Sequence, residues 1–403
     1  MTLIKPFRAL RPAPEFARQV SSVPYDVITE DEVRGFIREN PLSFLRITRA
    51  DADCTEADDH LRKAEENLED LIRRGVLFEE AEPSIYIYRL MSERHSQTGV
   101  VACCSLEEYR QGLIKKHEHT RPEKVSERTR HMVCLRAQTG LIFLAYRGTE
   151  QINELVAGEL SGEPIYDFTC TNDIRQTVWK AARPDEFADA FGDVPALYVA
   201  DGHHRLESAR LAADELAAEN PEHDGSEDYN FVIAGMFPAE QLKILAYNRV
   251  VRDDSGRSDD EILNLLSESF IISPADRAVP EEHGEIIMYL GGKWYDLRHN
   301  VAYIREPDPI ERLDVTILQQ YVLAPVFGIE DPRTDERIGF VGGIHGTEEL
   351  KQRVDSGEAR AAFSLFATTM DDLFAVSDMG ETMPPKSTWF EPKLKDGLFI
   401  HRI

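Results

Sequence analysis

An apolar strand that ends in Asp201 and Gly202 and leads directly into a helix constrains the fold of this chain more than any other feature. Residues 196–200 (ALYVA) predict a buried strand, and the segment after Gly202 carries apolar residues at helical spacing. Further apolar runs at 140–146 and 231–237 predict additional strands. A strand, a tight turn and a helix among several other strands predict an α/β fold with a mixed sheet.

Paired strands are predicted where a short polar or glycine-rich segment separates two apolar runs. The three predicted pairs are 85–90 with 100–105, 231–237 with 242–246, and 285–290 with 293–297. At 403 residues the chain exceeds what one hydrophobic core usually holds. The stretch 252–260 has almost no apolar residue, so we place a boundary there. Residues 1–255 are predicted to form an N-terminal region, and residues 256–403 a C-terminal α+β region.

Charge and cysteine content restrict the partners of the protein. The formal net charge is −27, and a surface this acidic repels a nucleic-acid backbone. The five cysteines form no C-x-x-C pair, and no apolar run is long enough to span a bilayer. We therefore expect a cytoplasmic protein that binds a small-molecule substrate, with neither nucleic acid nor membrane as a partner and with a homodimer compatible with the sequence.

The turn Asp201-Gly202-His203-His204-Arg205 has the composition of a phosphate site. The start of a helix presents backbone N–H groups and the positive end of its dipole, and Gly202 lets a ligand approach the backbone closely. The side chains of His203, His204 and Arg205 add donors, and Asp201 can cap the helix or hold a divalent ion. We expect Asp201 and Arg205 at the surface of this loop. The alternative is an ordinary N-cap beside two surface histidines.

The segment Lys115–Lys124 gathers bases, acids and a hydroxyl in a short span. In an extended conformation His117 and His119 share one face and Glu118 points to the other, which would direct a single carboxylate into a pocket. The alternative is a solvated charged loop. His-x-His without a third ligand does not indicate zinc.

Two further segments combine rigid turns with polar side chains and aromatics. They are Pro24-Tyr25-Asp26 and Met383–Phe390, and as sequence alone each is also typical of a structural turn.

Six separated motifs together resemble one family. The segments are PYDVI (24–28), KHEHT (116–120), GLIFLAYR (140–147), ADGHHRLESA (200–209), NRVV (248–251) and MPPKSTWFEPKL (383–394). In this order they resemble the domain-of-unknown-function family DUF1015. The resemblance spans nearly the whole chain.

The Asp-Gly-His-His-Arg core is also similar to the nucleotide motif of the ParB and sulfiredoxin superfamily, which includes kinases of free L-serine. This resemblance implies a ParB/sulfiredoxin-like nucleotide-binding core with additional N- and C-terminal α+β regions. It also implies that residues 201–205 form the phosphate and magnesium loop. Residues 1–255 are then the nucleotide-binding catalytic region, and residues 256–403 complete the site. Sulfiredoxins have a cysteine where this chain has His203, which argues against sulfinic acid reduction. A ParB-like partitioning role would need a helix-turn-helix and positive charge. The sequence shows neither feature, so this role is not expected.

The leading hypothesis is a kinase that transfers a phosphoryl group from ATP or ADP to a hydroxyl, with free L-serine as the favoured acceptor and Mg²⁺ as cofactor. The candidate catalytic residues are Glu118 as base, Asp201 and His204, with Asp201 also as the metal ligand. The candidate substrate-binding residues are Tyr25, Asp26, Thr120, Glu123, Arg249, Lys386, Ser387 and Thr388. Among these, Arg249 or Lys386 suits a carboxylate, and Asp26 or Glu123 suits an ammonium group.

Two other functions remain open at this point. The first is a nucleotide-binding regulatory or switch protein that transfers no phosphate to a metabolite. The second is a phosphodiesterase or nuclease that uses the histidines, although the charge of the chain argues against a polymeric substrate.

Overall fold

The computed structural model describes residues 3–54, 60–170, 173–253, 255–299 and 308–403, which form two compact units. Unit 1 comprises Met1–Lys116, Thr120–Leu242 and Pro392–Ile403. Unit 2 comprises His117–His119 and Lys243–Glu391. The predicted boundary after residue 255 therefore differs from this division at Leu242, and the last residues of the chain belong to the first unit.

The strands and helices of the described residues are as follows. The strands are β1 (Ile4–Lys5), β2 (Ala9–Pro12), β3 (Leu77–Glu79), β4 (Tyr86–Met91), β5 (Ser96–Ser105), β6 (Ile114–Lys115), β7 (Ala137–Gln138), β8 (Ile142–Tyr146), β9 (Tyr166–Thr169), β10 (Arg175–Lys180), β11 (Leu197–Asp201), β12 (Phe231–Pro238), β13 (Ile244–Leu245), β14 (Tyr247–Val251), β15 (Phe270–Pro274), β16 (Glu285–Leu290), β17 (Lys293–His299), β18 (Ile338–Gly342), β19 (Ala361–Leu365), β20 (Trp389–Phe390) and β21 (Ile400–Arg402). The α-helices are α1 (Ala17–Val20), α2 (Glu30–Glu39), α3 (Leu45–Thr48), α4 (His60–Arg73), α5 (Leu106–Arg110), α6 (Pro122–Leu135), α7 (Glu150–Glu159), α8 (Pro184–Gly192), α9 (His203–Glu219), α10 (Asp259–Leu266), α11 (Asp314–Leu318), α12 (Ala324–Phe327), α13 (Gly346–Asp355) and α14 (Met370–Asp378), and a π-helical segment (Gln319–Leu323) joins α11 to α12.

The main sheet of unit 1 is mixed, as the sequence predicts. Its strand order is β6-β11-β8-β12-β5-β4-β10-β9, and β1 pairs with β5. The pairs β6–β11 and β8–β12 are parallel, whereas β8 and β11 are antiparallel. A smaller sheet, β3-β2-β21-β7, brings the C-terminal strand into the same unit. The mixed α/β class is therefore confirmed, while the ParB/sulfiredoxin-like core stays a prediction.

Helix α9 follows β11 after a single residue, Gly202. Its buried apolar side chains belong to the core that covers the main sheet, and they are Leu206, Ala209, Ala212, Ala213 and Leu216. Gly202 has φ 96° and ψ 27°, a left-handed conformation that glycine adopts without the steric cost of a Cβ. This conformation turns the chain from strand to helix in one residue.

Two of the three predicted strand pairs are confirmed and one is wrong. Strands β4 and β5 pair with Tyr86 opposite Val101, and β16 and β17 pair with Ile286 opposite Leu297. The predicted pair 231–237 with 242–246 does not form. Instead β12 lies between β8 and β5, and β13 pairs with β20.

Unit 2 is built on an antiparallel sheet with the order β15-β17-β16-β19-β14-β18. Strand β14, which lies before the predicted boundary, pairs with β18 and β19 in this sheet. These long-range pairs explain why the unit begins before the polar stretch, whose residue Asp254 lies outside the described residues. Within the part of the chain that the structure describes, no helix is both long and apolar enough to cross a membrane.

We predict that Gly202→Ala destabilises the protein. A Cβ at this position would lie 2.9 Å from Arg205 Nε, and the left-handed backbone costs an L-residue about 1–2 kcal/mol. Urea unfolding should therefore give a free energy of unfolding lower by at least that amount. The matched control is Gly192→Ala at the end of α8, where a Cβ meets no heavy atom within 4 Å. Equal stability of the two variants would contradict this account of the turn.

Candidate functional site

Four charged side chains of unit 1 form a chain of alternating sign at the β11–α9 turn. Lys393 Nζ lies 3.4 Å from Asp201 Oδ1, and Arg205 Nη2 lies 2.7 Å from Asp201 Oδ2. Arg205 Nη1 lies 3.8 Å from Asp396 Oδ1. The order is therefore lysine, aspartate, arginine, aspartate, and the charges of the four groups sum to zero when all are ionised.

The first two members of this chain, Lys393 and Asp201, are partly exposed, whereas Arg205 and Asp396 are buried. The Asp201 side chain is 29% exposed, whereas those of Arg205 and Asp396 are 7% and 2% exposed. The expectation that Arg205 lies at the surface is therefore wrong. Arg205 shares a helix face with Ala209, Ala212 and Leu216, which pack on the sheet. Its guanidinium therefore lies on the buried side of the helix.

The electrostatics of the turn follow from this burial. Burial alone raises the pKa of Asp201, but the positive charges of Lys393 and Arg205 outweigh it and lower the pKa to about 2. Burial likewise lowers the pKa of Arg205, yet the carboxylates of Asp201, Asp26 and Asp396 outweigh it and raise the pKa above its ordinary value. Asp201 and Arg205 are therefore both charged at neutral pH.

Asp396 is fixed by backbone contacts on both sides. Its N–H donates to Ser22 O and its carbonyl accepts from Ser22 N–H, each at 3.0 Å. Gly140 makes room for the carboxylate, since a Cβ there would lie 2.5 Å from Asp396 Oδ1. Burial raises the pKa of Asp396 to about 7, and the positive charge of Arg205 offsets only part of this effect.

A small cavity adjoins Arg205 and Asp396. It is lined by Tyr25, Arg128, His131, Met132, Thr139, Gly140, Arg205 and Asp396. The Arg128 guanidinium lies 4.3 Å from the centre of the Tyr25 ring, which is a cation–π contact. Within the described residues, Arg205 Nε, Arg128 Nε and Asp396 Oδ2 are buried without a hydrogen-bond partner. A cavity of about 10 Å³ among residues that carry unpaired polar atoms suits a single water molecule.

The two histidines of the turn lie in different surroundings. His203 is buried, and His204 is half-buried and accepts a hydrogen bond from the backbone N–H of Arg121 at 3.0 Å through Nε2. Arg121 precedes α6, which packs against α9. Ser208 Oγ on α9 donates to Val125 O on α6 at 3.0 Å. His204 thus links the starts of the two helices.

Three of the sequence motifs come together in unit 2. His117 Nε2 lies 3.1 Å from Thr388 Oγ1, and His119 Nε2 lies 2.9 Å from Thr382 Oγ1. The backbone N–H of Met383 donates to His117 O at 2.8 Å. Both histidines therefore contact the 382–388 segment. Glu118 between them is half-buried.

Arg249 on β14 joins the same cluster. It is 3% exposed and donates to the backbone carbonyls of Tyr247, Pro385 and Lys386, the last at 3.0 Å. No ion pair connects it to any carboxylate among the described residues. Burial lowers the pKa of Arg249 to about 10, so it remains charged at neutral pH. Arg249 thereby holds the turn in which Lys386 has the left-handed φ of 59°.

The structure distributes the predicted site residues over the two units. Unit 1 contains Tyr25, Asp26, Thr120, Glu123 and residues 201–205. Unit 2 contains Glu118, Arg249, Lys386, Ser387 and Thr388. Within unit 1, Tyr25 and Asp26 lie close enough to Arg205 to raise its pKa. Glu123 is exposed in the first turn of α6.

Sequence reasoning missed three charged residues of the unit 1 site, namely Arg128, Lys393 and Asp396. The Pro- and Lys-rich motif at 383–394 ends just before Asp396, and a lysine or aspartate near a chain end carries little signal by itself. For Arg205 a signal was available, because the spacing from Arg205 to Ala209, Ala212 and Leu216 is that of one helix face.

The turn offers one carboxylate to a magnesium ion, that of Asp201. Both oxygens of Asp201 contact a cation, and no group of three or more His, Cys, Asp or Glu among the described residues is arranged to hold a metal. Mg²⁺ is commonly held by one or two carboxylates together with substrate phosphates and water. The residues present therefore fit a metal that arrives with a phosphate ligand rather than one held by the protein alone.

The fold and site thus define a mixed α/β protein with a buried charge chain at a strand-to-helix turn. The family model described as protein of unknown function, DUF1015, matches residues 4–316, so the chain belongs to this family. No curated protein matches the chain at a significant level.

Several solved structures are similar to the chain at low sequence identity. One is a mutant of a free serine kinase in complex with AMP, with 13% identity, coverage of 72% of this chain and 87% of that chain, and a TM-score of 0.37. A second is a conserved hypothetical protein from Pyrococcus furiosus, with 13% identity, coverage of 77% and 98%, and a TM-score of 0.38. A third is SbnI with a C-terminal truncation from Staphylococcus aureus, with 12% identity, coverage of 75% and 87%, and a TM-score of 0.41. These TM-scores are too low to assign a function.

We predict that Asp396→Asn changes how stability depends on pH. The folded protein takes up a proton at Asp396 near pH 7, whereas an unfolded aspartate does so near pH 4. Wild-type stability should therefore rise as the pH falls from about 8 to 5, by at most about 3 kcal/mol, because each pH unit between the two pKa values contributes about 1.4 kcal/mol.

Chemical denaturation at several pH values tests this prediction. The Asn variant should lack that part of the slope, while the control Asp189→Asn, at an exposed position on α8, should keep it. A slope in Asp396→Asn equal to that of the wild type would show that the proton binds elsewhere.

Proposed function

We propose that the protein is a nucleotide-dependent phosphotransferase that transfers the terminal phosphoryl group of ATP or ADP to a hydroxyl, with free L-serine as the favoured acceptor. The observation that carries this proposal is the turn at Gly202, where a left-handed glycine opens α9 beside Lys393, Arg205 and Asp201. Helix starts with nearby cations are suited to phosphate groups. The serine acceptor rests on the motif resemblance.

In this proposal the backbone N–H groups of the first turn of α9 bind phosphate oxygens, with Gly202, His203, His204 and Arg205 around them. Asp201 contributes one carboxylate to a magnesium ion that accompanies the nucleotide and neutralises charge on the phosphates. The cationic side chains stabilise the negative charge that spreads over the transferred group. Asp201 ionises well below neutral pH, which suits a metal-ligating carboxylate.

Glu118 is the proposed base. The serine oxygen forms a bond to the terminal phosphorus as the bond from that phosphorus to the bridging oxygen of the nucleotide breaks, and the hydroxyl proton moves to the carboxylate. The hydrogen bonds of His117 and His119 to Thr388 and Thr382 restrain the backbone on both sides of Glu118. Restraint of this kind is what a positioned base needs.

The remaining residues are proposed to bind the acceptor. Arg249 and Lys386 offer positive charge to a carboxylate, and Asp26 and Glu123 offer negative charge to an ammonium group. Tyr25, Thr120, Ser387 and Thr388 supply hydroxyl groups. Thr388 already contacts His117, and Ser387 Oγ donates to Pro384 O at 2.6 Å, so these two hydroxyls have partners before any substrate binds.

A second candidate function is a nucleotide-binding regulator that transfers no phosphate to a metabolite. One observation favours it. Both carboxylates of the charge chain, Asp201 and Asp396, already contact Arg205, so neither stands ready to act as a base. Such a regulator needs no base, and Glu118 distinguishes the two functions.

We predict that the purified protein converts L-serine to O-phosphoserine with ATP or ADP and magnesium, and that Asp201→Asn lowers turnover at least about a hundredfold. The loss of one preorganised electrostatic contact to a transferred group commonly has this effect. Phosphoserine can be followed by ³¹P NMR, and circular dichroism checks the fold of the variant. Nucleotide binding without phosphorylation of serine or of a pool of hydroxyl metabolites would favour the regulator.

We predict that Glu118→Gln separates binding from chemistry. Glutamine keeps the shape of the side chain but accepts no proton, so nucleotide affinity should stay similar while phosphoserine formation falls about a hundredfold to ten-thousandfold. Calorimetry gives the affinity and a single-turnover assay gives the rate. A matching loss of nucleotide affinity would make Glu118 a metal ligand, and full activity would transfer the role of base to another carboxylate, with Asp26 and Glu123 next in line.

A further inference from the structure

Lys393 lies on a segment whose backbone is fixed within unit 1. Gln97 Nε2 donates to Pro392 O at 3.2 Å, and the Leu394 side chain packs so closely on Gly235 that a Cβ there would lie 3.1 Å from Leu394 Cδ1. The antiparallel backbone bridge between Asp396 and Ser22 fixes the residues that follow Lys393 and Leu394. The lysine side chain thus extends from a rigid segment to the end of β11.

The lysine contacts the carboxylate that precedes the helix start. Its Nζ lies 3.4 Å from Asp201 Oδ1, and the two side chains are 14% and 29% exposed. A lysine on a flexible stem can change partners at little cost, whereas Arg205 is buried between two carboxylates. Lys393 is therefore the cation of the charge chain that is able to move toward a ligand.

A second observation also indicates a ligand at this turn. Arg205 is 6% exposed, and its Nε lies 2.9 Å from the place where a Gly202 Cβ would be. Among the residues that the structure describes, this Nε has no hydrogen-bond acceptor. A buried donor without an acceptor is uncommon, and it lies directly against the glycine of the turn.

We propose that Lys393 binds the phosphate groups of the ligand at the α9 start, and that Asp201 holds the lysine until the ligand arrives. This inference rests on the proposed function for the identity of the ligand as a nucleotide, but the chemistry it requires is that of a polyphosphate. When the phosphates bind, Lys393 Nζ exchanges the Asp201 carboxylate for phosphate oxygens. Asp201 then becomes available to the magnesium ion that accompanies the nucleotide.

Chemical labelling of the wild-type protein tests this exchange. The full chain is acylated with a lysine-selective reagent alone, with inorganic tripolyphosphate, with ATP and magnesium, and with adenosine, and each lysine is quantified by mass spectrometry. We expect tripolyphosphate and ATP to protect Lys393 several-fold and adenosine to leave it unchanged. The internal control is Lys180 on β10, which pairs with Glu80 at 2.8 Å five strands from β11, roughly 24 Å away at the usual strand spacing.

A pair of variants gives the second measurement. Lys393→Met should weaken the affinity for tripolyphosphate and for ATP roughly tenfold to a hundredfold, the usual effect of losing a charge-assisted hydrogen bond. Lys180→Met removes the same charge from a similar ion pair and should leave both affinities unchanged. The labelling experiment needs no variant, so a folding defect in Lys393→Met leaves the proposal testable.

The outcomes separate this inference from the proposed function. ATP binding without protection of Lys393, together with normal affinity in Lys393→Met, overturns the inference and leaves the proposed function standing. Protection by tripolyphosphate but not by ATP supports the phosphate contact and contradicts the nucleotide. Protection by neither ligand, with no ATP binding, overturns both.

Discussion

The buried guanidinium of Arg205 is the interaction on which the candidate site depends. It joins Asp201, at the end of β11, to Asp396, which lies near the end of the chain. Removing one partner of such a buried pair typically costs about 3–5 kcal/mol, since the other charge is left without compensation. The same guanidinium favours glycine at position 202, because a Cβ there would lie 2.9 Å from Arg205 Nε.

This dependence explains why the C-terminal residues belong to unit 1. Residues Pro392–Ile403 supply Lys393 and Asp396 to the charge chain and β21 to the smaller sheet. The turn therefore has its full set of four charged groups only when residues 201–205 and the C-terminal segment are folded together. Burial leaves Asp396 as the member of the chain whose charge changes near neutral pH, while Asp201 and Arg205 keep theirs.

Local patterns predicted the parts of the structure that depend on local interactions. The β11–Gly202–α9 turn and the pairs β4–β5 and β16–β17 followed from apolar periodicity and from short connections. The pairing of β13 with β20 joins residues that are far apart in sequence, and no local pattern specifies such a partner. The contact of Asp396 with Arg205 is of the same kind. The burial of Arg205 was predictable from its helix face, but its unusual sequence context suggested a surface role instead.

The central claim is that phosphate groups bind at the start of α9, and a crystal structure of the protein with ADP and magnesium tests it most directly. We expect the diphosphate to lie within hydrogen-bond distance of the backbone N–H groups of residues 203–205, with Lys393 Nζ turned from Asp201 toward a phosphate oxygen. A diphosphate more than a hydrogen-bond length from every atom of residues 201–205 would contradict it.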